Sequence, residues 1–432
     1  MSKHLSNRFL VRITIAIAAL GYFVDMYDII LFNVVRRTSL LEIGVPETDL
    51  LSVGINVLNW QLVGMIAGGI IFGIIGDKFG RLSVLFGSII LYSLANIANG
   101  LVTSLPAYAV FRFIAGVGLA GELGAGITLV SETMKPEKRG YGTMLVATIG
   151  VLGASFAALV SLYFHWRTAY FIGGGMGLLL LLMRVGVSES PVFKQVQISQ
   201  HVKRGDFMGI LRSPRLLLLF FQCIIIGAPT FFTISVLASG ATEFGKAFGL
   251  KELPRTETAI MILYIFVSLS DILCSLVSQW LKSRRVAMFL FLGVLLTGMI
   301  VYLFFPAETL TGFYIRIALL GFGIGIWAVL VTTISEQFGT NIRATATTSI
   351  PNFVRAFFIP LSFLFKALTP SVGIVYSAAI VGIGIVIFSA IAIYFLPETF
   401  GRDLNFNEDT DRHHSNKTIF REAKSFENTS GR

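Results

Sequence analysis

Apolar runs of twenty or more residues, broken by short polar stretches, fill the chain from about residue 12 to residue 396. A helix rises about 1.5 Å per residue, so roughly 20 apolar residues cross a ~30 Å hydrocarbon core. The pattern therefore predicts twelve transmembrane helices, near 12–35, 52–75, 82–102, 105–131, 141–164, 167–187, 216–239, 258–281, 286–305, 310–334, 345–367 and 371–396. The expected fold class is all-α and polytopic. The longest loop, 188–215, separates a first six-helix bundle (1–187) from a second (216–396), and a polar tail follows over 397–432. The tail reads as mostly disordered, with Ile419, Phe420, Ala423 and Phe426 spaced for a short surface helix as the alternative.

An even number of spans puts both termini on one side, and basic residues choose that side. Lys78, Arg81, Lys135, Lys138, Arg139, Lys203, Arg204, Lys282, Arg284, Arg285 and Arg343 fall in the N-terminal side's loops. The opposite loops hold only Arg36, Arg37, Arg167, Lys246, Lys251 and Arg255. Both termini are thus expected in the cytoplasm, with the chain in a cell (inner or plasma) membrane and the lipid bilayer as its surroundings.

Composition agrees. Hydrophobic residues make up 55% and charged residues 13%, about half the charge of a soluble domain. Mean hydropathy is +0.79. These values exclude a cytosolic enzyme and a disordered chain. The net charge of +10 sits in short patches between apolar runs, which reads as membrane orientation and not as a nucleic-acid surface. Cys223 and Cys274 each lie inside an apolar run, so neither a disulfide framework nor a metal site is implied. The first apolar run keeps Asp25 and Asp28 and has no small-residue cleavage site after it, unlike a removable signal peptide. No cofactor is expected, and no cluster of catalytic type suggests an enzyme.

A shift of 204 residues superposes unusual residues of the two halves: Lys78 on Lys282, Arg81 on Arg285, Arg112 on Arg316, Gly121 on Gly325, Glu132 on Glu336 and Arg139 on Arg343. Charged residues matching in so apolar a chain point to two pseudo-symmetric halves about an axis along the membrane normal, with a substrate site between them.

Several motifs resemble the major facilitator superfamily. The stretch Gly73-Ile-Ile-Gly-Asp77-Lys78-Phe-Gly80-Arg81 matches its loop signature G-x-x-x-D-[RK]-x-G-[RK]. Pro397-Glu398-Thr399-Phe-Gly401-Arg402 is similar to the P-E-T-x-G-R of sugar porters and related proton symporters, and Glu189-Ser190-Pro191 also recurs in such symporters. Asp25 and Asp28 resemble the paired acids of phosphate and aromatic-acid:proton symporters. Two departures stand out. Trp327 lies nine residues before Glu336 where sugar porters place a tryptophan five before, and Glu122-Leu123 replaces the phosphate family's Asp-Tyr. The resemblance implies alternating access around a central site.

Charge inside a membrane costs at least ~2.5–3.5 kcal/mol per residue, so each case calls for a partner or a function. Asp25 and Asp28, at i and i+3, share a helical face. Their depth in span one matches that of Arg112 in span four, so a carboxylate–arginine pair able to take and release the coupling proton is expected there. The alternative is a static buried pair. Glu122, among glycines, is either a third coupling acid or a structural hydrogen-bonding group. Asp271 is the only obvious acid near Arg316 and Arg355, so an anionic substrate is expected to supply the missing charge. Gln61, Gln222 and Asn352 are further lining candidates. Gly227-Ala228-Pro229 is expected to break or bend span seven.

Near the loops, Asp77 is expected to accept from helix N-terminal amides or an arginine, and Lys78 and Arg81 to hold acids such as Glu132. With Gly73, Gly80, Arg139, Glu336 and Arg343 they form a candidate inner latch. The function expected from all this is proton-coupled import of a small polar metabolite, an organic anion by preference, by a monomeric unit. Sugar or phosphate uptake, export by antiport and sodium coupling stay open.

Overall fold

A computed structural model describes residues 2–46, 49–135, 137–184, 207–404, 406 and 408. Among these the chain forms helices and no strand. Eleven segments are long and apolar enough to cross a bilayer. The last, Arg343–Phe395, has 53 residues, or about 80 Å of helix, far more than one crossing needs. Gly373 interrupts it with φ +79° and ψ 166°, so it counts as two crossings, which makes twelve among the described residues. Span one is Ile15–Glu42, span two Asn56–Phe79, span three Leu82–Leu101, span four Leu105–Thr133, span five Arg139–Tyr163 and span six Trp166–Met183. In the second half, span seven is Pro214–Ala238, span eight Thr256–Leu281, span nine Arg284–Phe304 and span ten Leu310–Gln337, with eleven and twelve following. Leu94, Leu179, Ile315 and Phe388 point outward, 56–64% exposed, as lipid-facing side chains do.

Spans four and ten are each broken at repeat-equivalent points. Span four stops at Leu119 and restarts at Glu122, and span ten stops at Gly323 and restarts at Trp327. Glycines at both breaks let a neighbouring span approach closely. A Cβ on Gly118 would lie 2.6 Å from Tyr92 N, and one on Gly325 would lie 2.2 Å from Ser270 Oγ. Freed backbone groups at such breaks are tolerated only where other groups satisfy them. Asn352 donates to Ala120 O at 3.0 Å, and Asp271 accepts from Ala328 N at 3.1 Å.

The 204-residue repeat also appears in contacts. Thr128 bonds Thr347 at 2.6 Å, and the exchanged pair Thr143–Thr332 has the same distance. Ser131 meets its own equivalent, Ser335, at 3.3 Å. Such exchange of partners is what a two-fold relation between halves produces.

Span seven differs from expectation. The helix runs through Pro229 to Phe232, and the irregularity is a π-helical turn at Thr233–Ala238. Thr233 donates to the Pro229 carbonyl at 2.8 Å, so the distortion falls one turn after the proline.

Candidate substrate pathway and latch

One end of the molecule is closed by side chains from both halves. Gly80 joins spans two and three with φ +100° and ψ 159°, a conformation that glycine adopts without Cβ strain. Span two crosses span eleven so closely that a Cβ on Gly73 would meet Thr345 Cα at 2.8 Å. At that crossing Asp77 accepts from Ala344 N at 3.0 Å, from Thr345 N at 2.8 Å and from Thr345 Oγ1 at 2.7 Å, where the start of span eleven is electropositive. Arg343 donates to Glu132 at 2.9 Å. The exchanged pair Arg139–Glu336 is longer, 3.8 Å, because Arg284 also engages Glu336 at 3.1 Å. Lys78 is exposed, and Arg343 in place of Lys78 holds Glu132. The Arg81 side chain and Glu189-Ser190-Pro191 lie outside the described residues.

The start of the tail, read from its polar composition as part of a mostly disordered segment, is bound to the helix ends here. Arg139 donates to Arg402 O at 3.0 Å and Arg343 to Leu404 O at 2.7 Å. Glu398 accepts from Ser283 Oγ, Arg284 N at 2.9 Å and Phe400 N at 3.0 Å. Partial burial alone would raise its carboxyl pKa, but these donors outweigh burial and hold it below the ordinary range. The candidate helix at 419–426 lies outside the described residues.

The other end is open. A 500 Å³ mouth lined by Arg36, Arg37, Lys246 and Arg255 adjoins a 360 Å³ chamber lined by Arg36, Leu58, Phe358 and Phe365. Below them lies a gap of about 30 Å³, roughly one water, bordered by Gln61, Phe231, Arg355 and Phe358. Asn33 lines all three, so they form one descending path.

Arg355 sits at the bottom. Its Nη1 donates to Asn352 Oδ1 at 2.9 Å, and its guanidinium lies 5.9 Å from the Trp327 ring centroid. Nε and Nη2 have no hydrogen-bond partner among the described residues. Trp327 donates to Tyr22 at 2.9 Å and packs edge-on against Phe231. Arg355 is also the strongest cationic influence on buried Asp25, whose two oxygens have no hydrogen-bond partner among the described residues.

Asp28 takes a different partner. Arg112 is its cationic neighbour, and Arg112 donates to Asn96 at 2.6 Å and lies 4.9 Å above the Tyr170 ring. This pair is sealed inside the first half, where a Cβ on Gly173 would be 2.3 Å from Asp28 Oδ1. Glu122 is held by Arg184 through two hydrogen bonds, one of 2.9 Å, in a fully buried pair packed on Gly21.

Besides Arg112, three residues expected at the substrate site meet different surroundings. Arg316 is not on the path. It donates to Phe305 O and Gly312 O, both at 2.9 Å, near the start of span ten. Asp271 does not neutralise an arginine, since it caps the restarted half of span ten. Gln222 is half-buried and lines none of the three cavities. Sequence reasoning missed Arg184, Arg284 and Tyr22. Arg184 was findable as an uninspected charge within an apolar run; Arg284 and Tyr22 gave no local signal separating them from loop charge and core.

A helical membrane protein with two related halves, one closed end and a descending polar-apolar path between them is built as a transporter. The chain belongs to the Major Facilitator Superfamily, whose family model matches residues 18–360. It is 25% identical over 359 residues to the putative niacin/nicotinamide transporter NiaP of Bacillus subtilis (strain 168), covering 80% of this chain and 85% of that one. It is 30% identical over 186 residues to the 3-(3-hydroxy-phenyl)propionate transporter of Escherichia coli (strain K12), covering 39% and 44%. The solved proton:xylose symporter XylE, bound to 6-bromo-6-deoxy-D-glucose, superposes with a TM-score of 0.73 at 17% identity, over 92% of this chain and 98% of that one. The protein is a transporter of metabolite or sugar type and not an enzyme.

Proposed function

We propose that the protein imports a small aromatic carboxylate together with protons, by alternating access, with both termini in the cytoplasm of the cell membrane. The observation that carries this reading is Arg355: a buried guanidinium, with two nitrogens unpartnered among the described residues, at the foot of an open path bordered by Phe231 and Phe358, with Trp327 beside it. A guanidinium pairs two carboxylate oxygens at once and stays charged at physiological pH, while aromatic walls accept a flat ring. One relative is named for niacin and nicotinamide and another for a hydroxyphenylpropionate; niacin and the propionate are aromatic carboxylates, which supports the class.

Coupling follows from Asp25 and Asp28. A substrate carboxylate that engages Arg355 withdraws its charge from Asp25, and a buried carboxylate deprived of its cation favours the proton. Asp28, facing Arg112, is the second acid available to carry the proton. Closing the mouth and opening the latch would then deliver substrate and proton together. Two protons carried with a carboxylate move one net positive charge, and one charge moving through 100 mV supplies about 2.3 kcal/mol, enough for roughly 40-fold accumulation at ~1.4 kcal/mol per tenfold.

The test is uptake into proteoliposomes under an imposed pH gradient, with nicotinate, 3-(3-hydroxyphenyl)propionate and neutral nicotinamide as probes. Saturable, gradient-driven uptake of a carboxylate, not inhibited by the amide, is the expected result. Saturable uptake of a neutral sugar or of nicotinamide, indifferent to competing carboxylates, would overturn it.

A further inference from the structure

Asp25, Ile29, Asn33 and Arg36 follow one another at spacings of four, four and three, so they form one stripe along span one. Ile29 and Asn33 border the lowest gap, and Arg36 lines both larger cavities, about 16 Å of helix above Asp25. The path thus carries a guanidinium at each of two levels, Arg36 at the junction of mouth and chamber and Arg355 at the bottom.

Arg36 is held in place. Its stem crosses Gly54 of span two, where an added Cβ would meet Arg36 Cδ at 2.3 Å. From the opposite half, Glu243 lines the same two cavities and is the anion whose field reaches Arg36. No ion pair joins them among the described residues. The mouth above adds the cations Arg37, Lys246 and Arg255 against one further acid, Glu257, and the chamber beside Arg36 is walled by Leu58, Phe358 and Phe365. Its 360 Å³ falls within the range of small-molecule sites.

We propose that Arg36 is an outer anion-binding site, where an incoming carboxylate displaces the influence of Glu243 and rests with its apolar body in the chamber before descending to Arg355. This rests on the anionic substrate proposed above and adds a second station to it. The cations of the mouth raise the local anion concentration. Glu243 keeps Arg36 compensated between arrivals, so the station holds a carboxylate only weakly and passes it on. A single tight site at the mouth would trap the substrate instead.

The test uses the full chain in proteoliposomes, comparing initial uptake of nicotinate, 3-(3-hydroxyphenyl)propionate and nicotinamide at several salt concentrations. Arg36→Gln should raise the half-saturation concentration for the transported carboxylate about tenfold, flatten its salt dependence and leave the maximal rate near that of the unaltered protein. Glu243→Gln should lower the same half-saturation concentration severalfold. These opposite signs are what a merely structural role does not produce. If the unaltered protein transports a carboxylate while Arg36→Gln leaves its half-saturation unchanged, or if both variants weaken uptake alike, the outer site is overturned and the function stands. If the unaltered protein takes up neither carboxylate, the function falls and the outer site with it.

Discussion

Three arginines that look alike in the sequence have three different surroundings. Arg112 and Arg355 each keep two nitrogens without a hydrogen-bond partner among the described residues, but Arg112 is sealed with Asp28 and Asn96 inside the first half while Arg355 lies at the foot of the path, and Arg316 holds two carbonyls near the start of span ten. Arg355→Lys retains charge but loses the fork, so the half-saturation concentration should rise tenfold or more, at normal expression. Arg316→Gln should leave transport kinetics within about twofold of the unaltered protein, as measured in the same uptake assay. Glu122 separates structure from coupling. Removing one partner of a buried pair costs about 3–5 kcal/mol, so Glu122→Gln should lower the thermal midpoint clearly, and Glu122→Gln with Arg184→Gln should recover much of the loss. A Glu122→Gln protein of unchanged thermal stability would instead favour Glu122 as a coupling acid. Which arginine does what was illegible in the sequence, because a residue's depth follows from span boundaries while its partners lie on other spans.

At the scale of elements, the apolar pattern was enough for twelve spans, and the twin Glu-x6-Arg motifs foretold equivalent positions in the two halves. The contacts go further: Glu132 pairs with Arg343, and Glu336 with Arg139, each motif completing the other. That crossing of partners is invisible in one dimension. So is the strap of residues 397–404, whose polar composition reads as disorder although its carbonyls and Glu398 are held by the helix ends beneath. The strap should matter to the latch. Because the Glu398 pKa is depressed, its contribution is present above the ordinary carboxylate range and lost as the pH falls through the lowered value. If the latch closes the inner gate, Asp77→Asn or Glu132→Gln should increase labelling of a cysteine introduced at that end. Unchanged labelling in both variants would reduce the loop charges to signals of membrane orientation.

For the whole molecule, an open end whose lining holds more cations than acids and a closed end bound by exchanged ion pairs describe one of the two states that alternating access requires. The central claim is that an anion and a proton move together, and substrate-driven proton movement tests it most directly. Nicotinate or 3-(3-hydroxyphenyl)propionate, added outside lightly buffered proteoliposomes without any imposed gradient, should draw protons inward and raise the external pH. Asn at the responsible one of Asp25 and Asp28 should abolish that signal and uphill accumulation while counterflow exchange continues. Carboxylate uptake with no proton movement, or uptake that instead requires sodium, would contradict the account, as would full proton coupling in both single Asn variants.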